Sequence, residues 1–205
     1  NGGLPAGWNH IVDPDNGVTS TVSVDTGRTS SNSVKIDCTV FPEPGNVTST
    51  SHADIYQKDV TLLQYESYRL SFWVKGQNIE GNTVRVAIFD TLDWVYCPLW
   101  EYLTVSNEWQ KCTFDFLAIQ DITPENFLLW FTLDEVGTIW LDDVSLMGPA
   151  ADGTPRFNPR ISTIDTKNLI PNSSFELGAD GWSSLGIVTG WTGDLQGLYG
   201  TIQSS

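Results

Sequence analysis

The chain has 205 residues, 40% of them hydrophobic, and its 25 acidic against 10 basic residues give a formal net charge of −15 at pH 7. This length fits one β-rich domain with a remainder, or two very small domains, and the apolar content is enough for a core. The one-sided charge repels nucleic acid and anionic membrane, no apolar run approaches the ~20 residues of a membrane span, and a neutral ligand met outside the cell suits the balance.

The first residue is Asn1 rather than Met, so the sequence reads as a piece of a longer secreted or cell-surface protein whose signal peptide has gone. The three cysteines, Cys38, Cys97 and Cys112, leave at least one unpaired and form no disulfide framework. Cys38 and Cys112 alternate with apolar residues and read as small buried hydrophobes. With no CxxC spacing and isolated His10 and His52, zinc is not expected. Nine tryptophans exceed what a core of this size needs, which points to a contact surface.

Helical periodicity is nearly absent. Short runs alternate apolar and polar residues between Gly, Pro, Asn, Asp and Ser. In chain order, strands are predicted over 32–40, 53–61, 68–76, 83–90, 99–105, 108–117, 127–134 and 137–146. Eight evenly spaced strands predict an all-β fold, an antiparallel two-sheet sandwich of the jelly-roll type. The first, third, sixth and eighth would share one sheet, and the second, fourth, fifth and seventh the other. In "TVRVAIFD", Val84, Val86 and Ile88 point to the core, while Arg85, Ala87 and Phe89 are expected to face solvent. In "FLLWFTLD", Phe127, Leu129, Phe131 and Leu133 form the core row, and Leu128, Trp130, Thr132 and Asp134 face out. One outer sheet face would then carry Arg85, Phe89 and Trp130 together, an unusual set for a purely structural surface.

After Leu146 the pattern stops, and 149–167 reads as a linker. The stretch "NSSFELGADGWSSLGIV" beyond it repeats the order of "NGGLPAGWNHIV" at the start: Asn, two small residues, a large apolar residue, a turn, Gly-Trp, then Ile-Val. Residues 1–148 are therefore read as one module and 168–205 as the truncated start of a second similar one. The segment from Asn168 to Glu176 is expected to pair with an exposed sheet edge of the first module, in cis or in a swapped dimer.

"NSSFELGADGW", "YRLSFWVKG", "NEWQKCTFDF" and "GTIWLDDVSL" resemble, in order and spacing, the jelly-roll carbohydrate-binding modules of families 4, 9, 16 and 22. The resemblance covers residues 1–148. It implies a concave sheet that binds a polysaccharide of the β-glucan, xylan or mannan type without catalysis. It also implies covalently linked catalytic or binding modules elsewhere in the parent chain, with the module targeting a secreted glycoside hydrolase to its substrate.

Sugar rings have apolar faces and hydroxyl edges, so aromatic and planar polar side chains are the candidates. Trp130, Phe89 and Tyr56 are read as ligand contacts, with Trp94, Tyr96 and Trp100 from the neighbouring "DTLDWVYCPLWEY". The resemblance favours Gln57 as a ligand-bonding amide. Arg85 either donates to hydroxyl oxygens or pairs with Asp134 or Glu101 at the surface. Trp73, Trp109 and Trp140 read as structural, and Trp8 as packing under the sandwich rim. The resemblance also suggests a structural calcium held by Asp142 and carbonyls near Ser30, with Glu176 in the second copy; the alternative is that Asp142 and Asp143 are ordinary acids facing solvent. A protein-binding or adhesin sandwich is the competing reading. A glycosidase or lyase is less favoured, because the abundant acids form no evident pair flanking a bond.

Overall fold

A computed structural model describes residues 4–11, 17–29 and 32–148, together with the backbone of 167–168. Among these residues there is no helix, and so none long and apolar enough to cross a membrane. The strands are β1 (Trp8–Asn9), β2 (Thr19–Thr26), β3 (Asn32–Val40), β4 (Ala53–Gln57), β5 (Ser67–Gln77), β6 (Val84–Asp90), β7 (Leu99–Leu103), β8 (Gln110–Leu117), β9 (Phe127–Leu133), β10 (Gly137–Gly148) and β11 (Lys167–Asn168).

They form two antiparallel sheets, β1-β4-β9-β6-β7 and β2-β3-β10-β5-β8, with β11 joined to β10. This is the two-sheet jelly-roll sandwich expected, and the eight predicted strands divide between the sheets as anticipated. Two strands escaped prediction. β2 carries only Val22 and Val24 among polar residues and is exposed along much of its length, so it has little hydrophobic signal. β1 has only two residues. The predicted 53–61 strand stops at Gln57, and Asp59 adopts a left-handed backbone (φ 67°) that breaks the extended run.

The core follows from alternation. In β5, Tyr68, Leu70, Phe72 and Val74 are fully buried while the residues between them are only partly covered. Opposite them lie Val84, Val86 and Ile88 of β6 and Phe127, Leu129, Phe131 and Leu133 of β9, the rows predicted. Phe72 meets Phe131 edge-on across the layers, with ring centres 4.9 Å apart. Trp8 is not at a rim; it is buried against Phe131 inside this core. Gly137 opens β10 where only glycine fits, since a Cβ would stand 2.7 Å from the Asn78 carbonyl oxygen.

β6 and β9 differ from β5 in being covered on both faces. Ala87, Phe89, Leu128 and Thr132, expected in solvent, are all buried. Ala87, Phe89 and Leu128 form the floor of a second, smaller cluster on the outer side of the first sheet, with Tyr56, Cys97 and Trp130 packed around it. Strand period two had placed them on the correct face. It carries no information about the side chains that stand over that face.

The outer face of the second sheet is built differently. Trp140 lies between Lys35 and Lys75, whose ammonium groups stand 5.8 and 4.6 Å from its ring centre, and its indole N–H donates to Asp25. Lys75 also covers Trp109, and the Arg28 guanidinium lies 4.2 Å over Trp73. Cations thus occupy the faces of all three tryptophans read as structural.

Lys167–Asn168 pairs antiparallel with Met147–Gly148, along a part of β10 that β3 does not reach. Asn168 is the first residue of the segment expected to pair with the first module; the rest of that segment, to Glu176, and the second copy lie outside the described residues.

Candidate glycan-binding groove

The register of the first sheet fixes which side chains share its outer face. Residues opposite one another on antiparallel strands point the same way. One row crosses all five strands: Asn9, Tyr56, Trp130, Ala87, Trp100. The next contains Asp54, Thr132, Arg85 and Tyr102. A third pairs Leu128 with Phe89.

The first row has the shape of a slot. Ala87, the smallest side chain in it, lies between two indoles carried by the strands on either side. Strand spacing sets those two strands about 10 Å apart. Phe89 closes the floor, with ring centres 5.5 Å from Trp100, 6.3 Å from Trp130 and 5.6 Å from Trp94. Trp100, Tyr102 and Trp94 are 44%, 50% and 55% exposed, so an aromatic rim stands over an apolar floor.

Trp94 comes from the β6–β7 loop. The Asp90 carboxylate accepts the Leu92 N–H, the Asp90 carbonyl accepts the Trp94 N–H, and the Asp93 carboxylate accepts the Val95 N–H. Trp94 itself has a left-handed backbone (φ 61°), which a bulky residue adopts only at a cost of order 1 kcal/mol. The loop holds that conformation and displays the ring.

Arg85 makes the anticipated pair with Asp134 and also lies over the groove tryptophans. Its guanidinium lies 4.6 Å over the Trp100 ring centre and 5.6 Å from that of Trp130, and 4.0 Å from the Asp134 carboxylate. Burial pushes the Asp134 carboxyl upward, and the Arg85 charge opposes that.

Two predicted contacts are placed elsewhere. Gln57 pairs with Trp8 and Leu129 on the inner face of the sheet and is 1% exposed. With strand period two, Tyr56 is the residue of that pair that faces the groove, so Gln57 is corrected to an interior residue. Tyr96 turns toward the main core, where its hydroxyl accepts the Ile119 N–H at 2.6 Å. Trp130, Arg85, Tyr56, Phe89, Trp94 and Trp100 do come together on the groove face.

The structure adds a pair the sequence reading missed. Asp54 is 1% exposed; one carboxylate oxygen accepts the Trp130 indole N–H at 2.9 Å and the other the Ile11 N–H at 2.7 Å. His52 is also buried and meets the Trp130 ring edge-on, with centres 4.4 Å apart. Burial raises the Asp54 carboxyl to about 6, against the pull of those two hydrogen bonds. Burial, then the Arg85 charge, lowers His52 to about 4. Alternation applied to "ADIYQ" would have flagged Asp54 and Tyr56 together, because Ile55 must point inward.

Of the residues suggested for calcium, Asp142 alone is described; Ser30 and Glu176 lie outside the described residues. Asp142 is fully buried, not solvent-facing, and its two oxygens accept the Arg28 and Asp143 N–H groups at 2.9 and 2.8 Å. It thereby ties Arg28, just after β2, to a bulge in β10. Among the described residues no group of three His, Cys, Asp or Glu side chains is placed to hold a metal ion.

The family described as Carbohydrate binding domain, CBM_4_9, matches residues 13–134. A solved family 4 carbohydrate-binding module is 23% identical, with a TM-score of 0.50, over 72% of this chain and 86% of that one. A family 11 module from Clostridium thermocellum, solved with a β-1,3-1,4-mixed-linked tetrasaccharide, is 14% identical with a TM-score of 0.48, covering 68% and 87%. A family 22 module joined to a xylanase catalytic module of the same organism, solved with xylohexaose, is 18% identical with a TM-score of 0.47, covering 68% of this chain and 26% of that one. No curated protein sequence matches the chain. A two-sheet jelly roll, an aromatic slot on one sheet and a family match over most of the sandwich lead to one assignment: the chain belongs to the CBM_4_9 carbohydrate-binding domain family, and it is a non-catalytic polysaccharide-binding module.

Proposed function

We propose that the groove on the first sheet takes an internal segment of a linear, neutral β-linked glycan of the glucan, xylan or mannan type. The observation that carries this is the row Tyr56–Trp130–Ala87–Trp100, which with Phe89 and the exposed Trp94 and Tyr102 gathers aromatic side chains on one sheet face. Trp130, Trp100, Trp94 and Phe89 cover the C–H faces of successive sugars, while Arg85 and the Tyr56 hydroxyl bond the edges. The row runs from one edge strand to the other, so a long chain can continue past both ends. The net charge of −15 disfavours polyuronates. Calorimetric titration with mixed-linkage β-glucan, laminarin, xylan, glucomannan and polygalacturonate tests the reading. Saturable binding to one or more neutral polymers and none to polygalacturonate is expected; binding to none of the neutral polymers overturns it.

In this reading the module serves a secreted or cell-surface parent protein, holding a linked glycoside hydrolase on its polymer, and residues 168–205 begin a further module. A structural calcium held in part by Asp142 belongs to the same proposal. Thermal unfolding with calcium and with a chelator checks it, a higher melting temperature with calcium being the expected result.

A further inference from the structure

We propose that Asp54 is a positioning residue for the groove: its ionised carboxylate holds the Trp130 indole in the orientation that receives the sugar, and glycan affinity follows its ionisation. This rests on the reading of Trp130 as a ligand contact, and it goes beyond it by assigning a residue that touches no sugar.

The geometry is specific. An indole on a groove wall can leave its N–H to water. Here that N–H is given to a carboxylate with almost no exposure, at 2.9 Å. Burying a carboxylate is costly, and nothing in the sandwich core requires one at this position, since Asp54 lies on the outer face opposite Thr132. The charge-assisted bond fixes the Nε1 edge of the Trp130 ring and so restrains rotation about its second side-chain torsion. The second oxygen, on Ile11 N–H at 2.7 Å, ties the carboxylate to the chain leaving β1. His52 abuts the indole ring edge-on, and the Arg85 guanidinium lies 5.6 Å from the same ring. Trp130 is thus ordered before a ligand arrives, which removes an ordering cost from binding.

The charged and titratable groups about Asp54 are His52 just before β4, Tyr56 on β4, Arg85 on β6, Asp134 after β9 and His10 after β1. His52 Nε2 is 3.8 Å from the Asp54 carboxylate, yet burial and Arg85 keep that imidazole neutral above about pH 5. The Asp54 carboxyl, raised to about 6 by burial, takes up its proton in mildly acidic solution. Protonation removes the charge assistance from the Trp130 bond and leaves the fold intact.

The test uses the full 205-residue chain with ¹⁵N-labelled tryptophan. Trp130→Phe assigns the Trp130 indole N–H signal, which is followed without glycan from about pH 5 to about pH 7.5. The signal is expected to move with a midpoint near 6 in the wild type and to stay fixed in Asp54→Asn. Calorimetry with mixed-linkage β-glucan, xylan and glucomannan then reads affinity at both ends of that range. Wild-type affinity falls several-fold on acidification, whereas Asp54→Asn binds roughly tenfold more weakly and without pH dependence. An indole signal indifferent to pH, or an Asp54→Asn variant that follows the wild type, overturns the proposal. If the indole signal titrates and no glycan binds, the coupling stands and the glycan reading alone fails.

Discussion

Asp54→Asn also makes a prediction about stability that is independent of any ligand. The folded carboxyl titrates at about 6, against 3.8 for the free group. A raised acid binds its proton more tightly in the folded state, so its contribution to stability is fully present below the unfolded value, is lost as pH rises through about 6, and is gone above about 7. The gap of about 2.2 corresponds to roughly 3 kcal/mol at 1.36 kcal/mol per unit of pKa. Asparagine does not titrate, so this pH dependence is missing from the variant. Its absolute stability also changes, because an amide cannot accept both the Ile11 and Trp130 N–H groups, but that offset is nearly constant with pH. The difference between the two proteins therefore shifts in favour of the variant by up to roughly 3 kcal/mol between about pH 4 and about pH 7.5, or about 6–12 °C in melting temperature for a domain of this size. Urea unfolding at a series of pH values measures it. Parallel stability curves for the two proteins would refute the reasoning, since they would mean that Asp54 titrates as it does in the unfolded chain. Stability and affinity thus respond to acid in opposite directions through one carboxylate.

Ala87→Leu places three more carbons between Trp130 and Trp100; glycan affinity is expected to fall at least about tenfold by calorimetry, with a stability loss of about 1–3 kcal/mol, because Ala87 is buried in the smaller cluster. Tyr68→Phe removes the buried hydroxyl that accepts the Leu63 N–H at 2.7 Å; a loss of about 1–2 kcal/mol in chemical unfolding is expected, with glycan binding unchanged. Trp94→Ala takes away an exposed rim ring that touches only Phe89 among the aromatic groups of the groove, so affinity for long chains should drop by a few-fold with no loss of melting temperature.

The sandwich was legible in sequence because its strands alternate where one face is buried and the other is wet. "YRLSFWVKG" is such a run, and its inner row Tyr68, Leu70, Phe72, Val74 is buried as the period requires. The same period correctly put Arg85, Phe89 and Trp130 on one outer face. It failed to foresee that Ala87, Phe89 and Leu128 are covered, because that cover comes from side chains on other strands and on the 91–98 loop, a tertiary effect. Gln57 was misplaced by one residue, which in a strand means the opposite side of the sheet. Asp54 went unnoticed because one acid among 25 has no signature of its own; only the register opposite Thr132 and the bond to Trp130 distinguish it. β2 was missed because an edge strand buries little and so carries little hydrophobic pattern.

The central claim is that glycan binds the aromatic slot of the first sheet and not the tryptophan face of the second. Affinity electrophoresis of wild type, Trp130→Ala and Trp140→Ala in gels containing the polysaccharide selected from the panel tests this directly. Trp140 is also an outer-face tryptophan, but Lys35 and Lys75 occupy its ring. The account predicts that Trp130→Ala migrates as though no polysaccharide were present, while Trp140→Ala is retarded like the wild type. Retardation of Trp130→Ala equal to wild type, or its loss in Trp140→Ala alone, would contradict it.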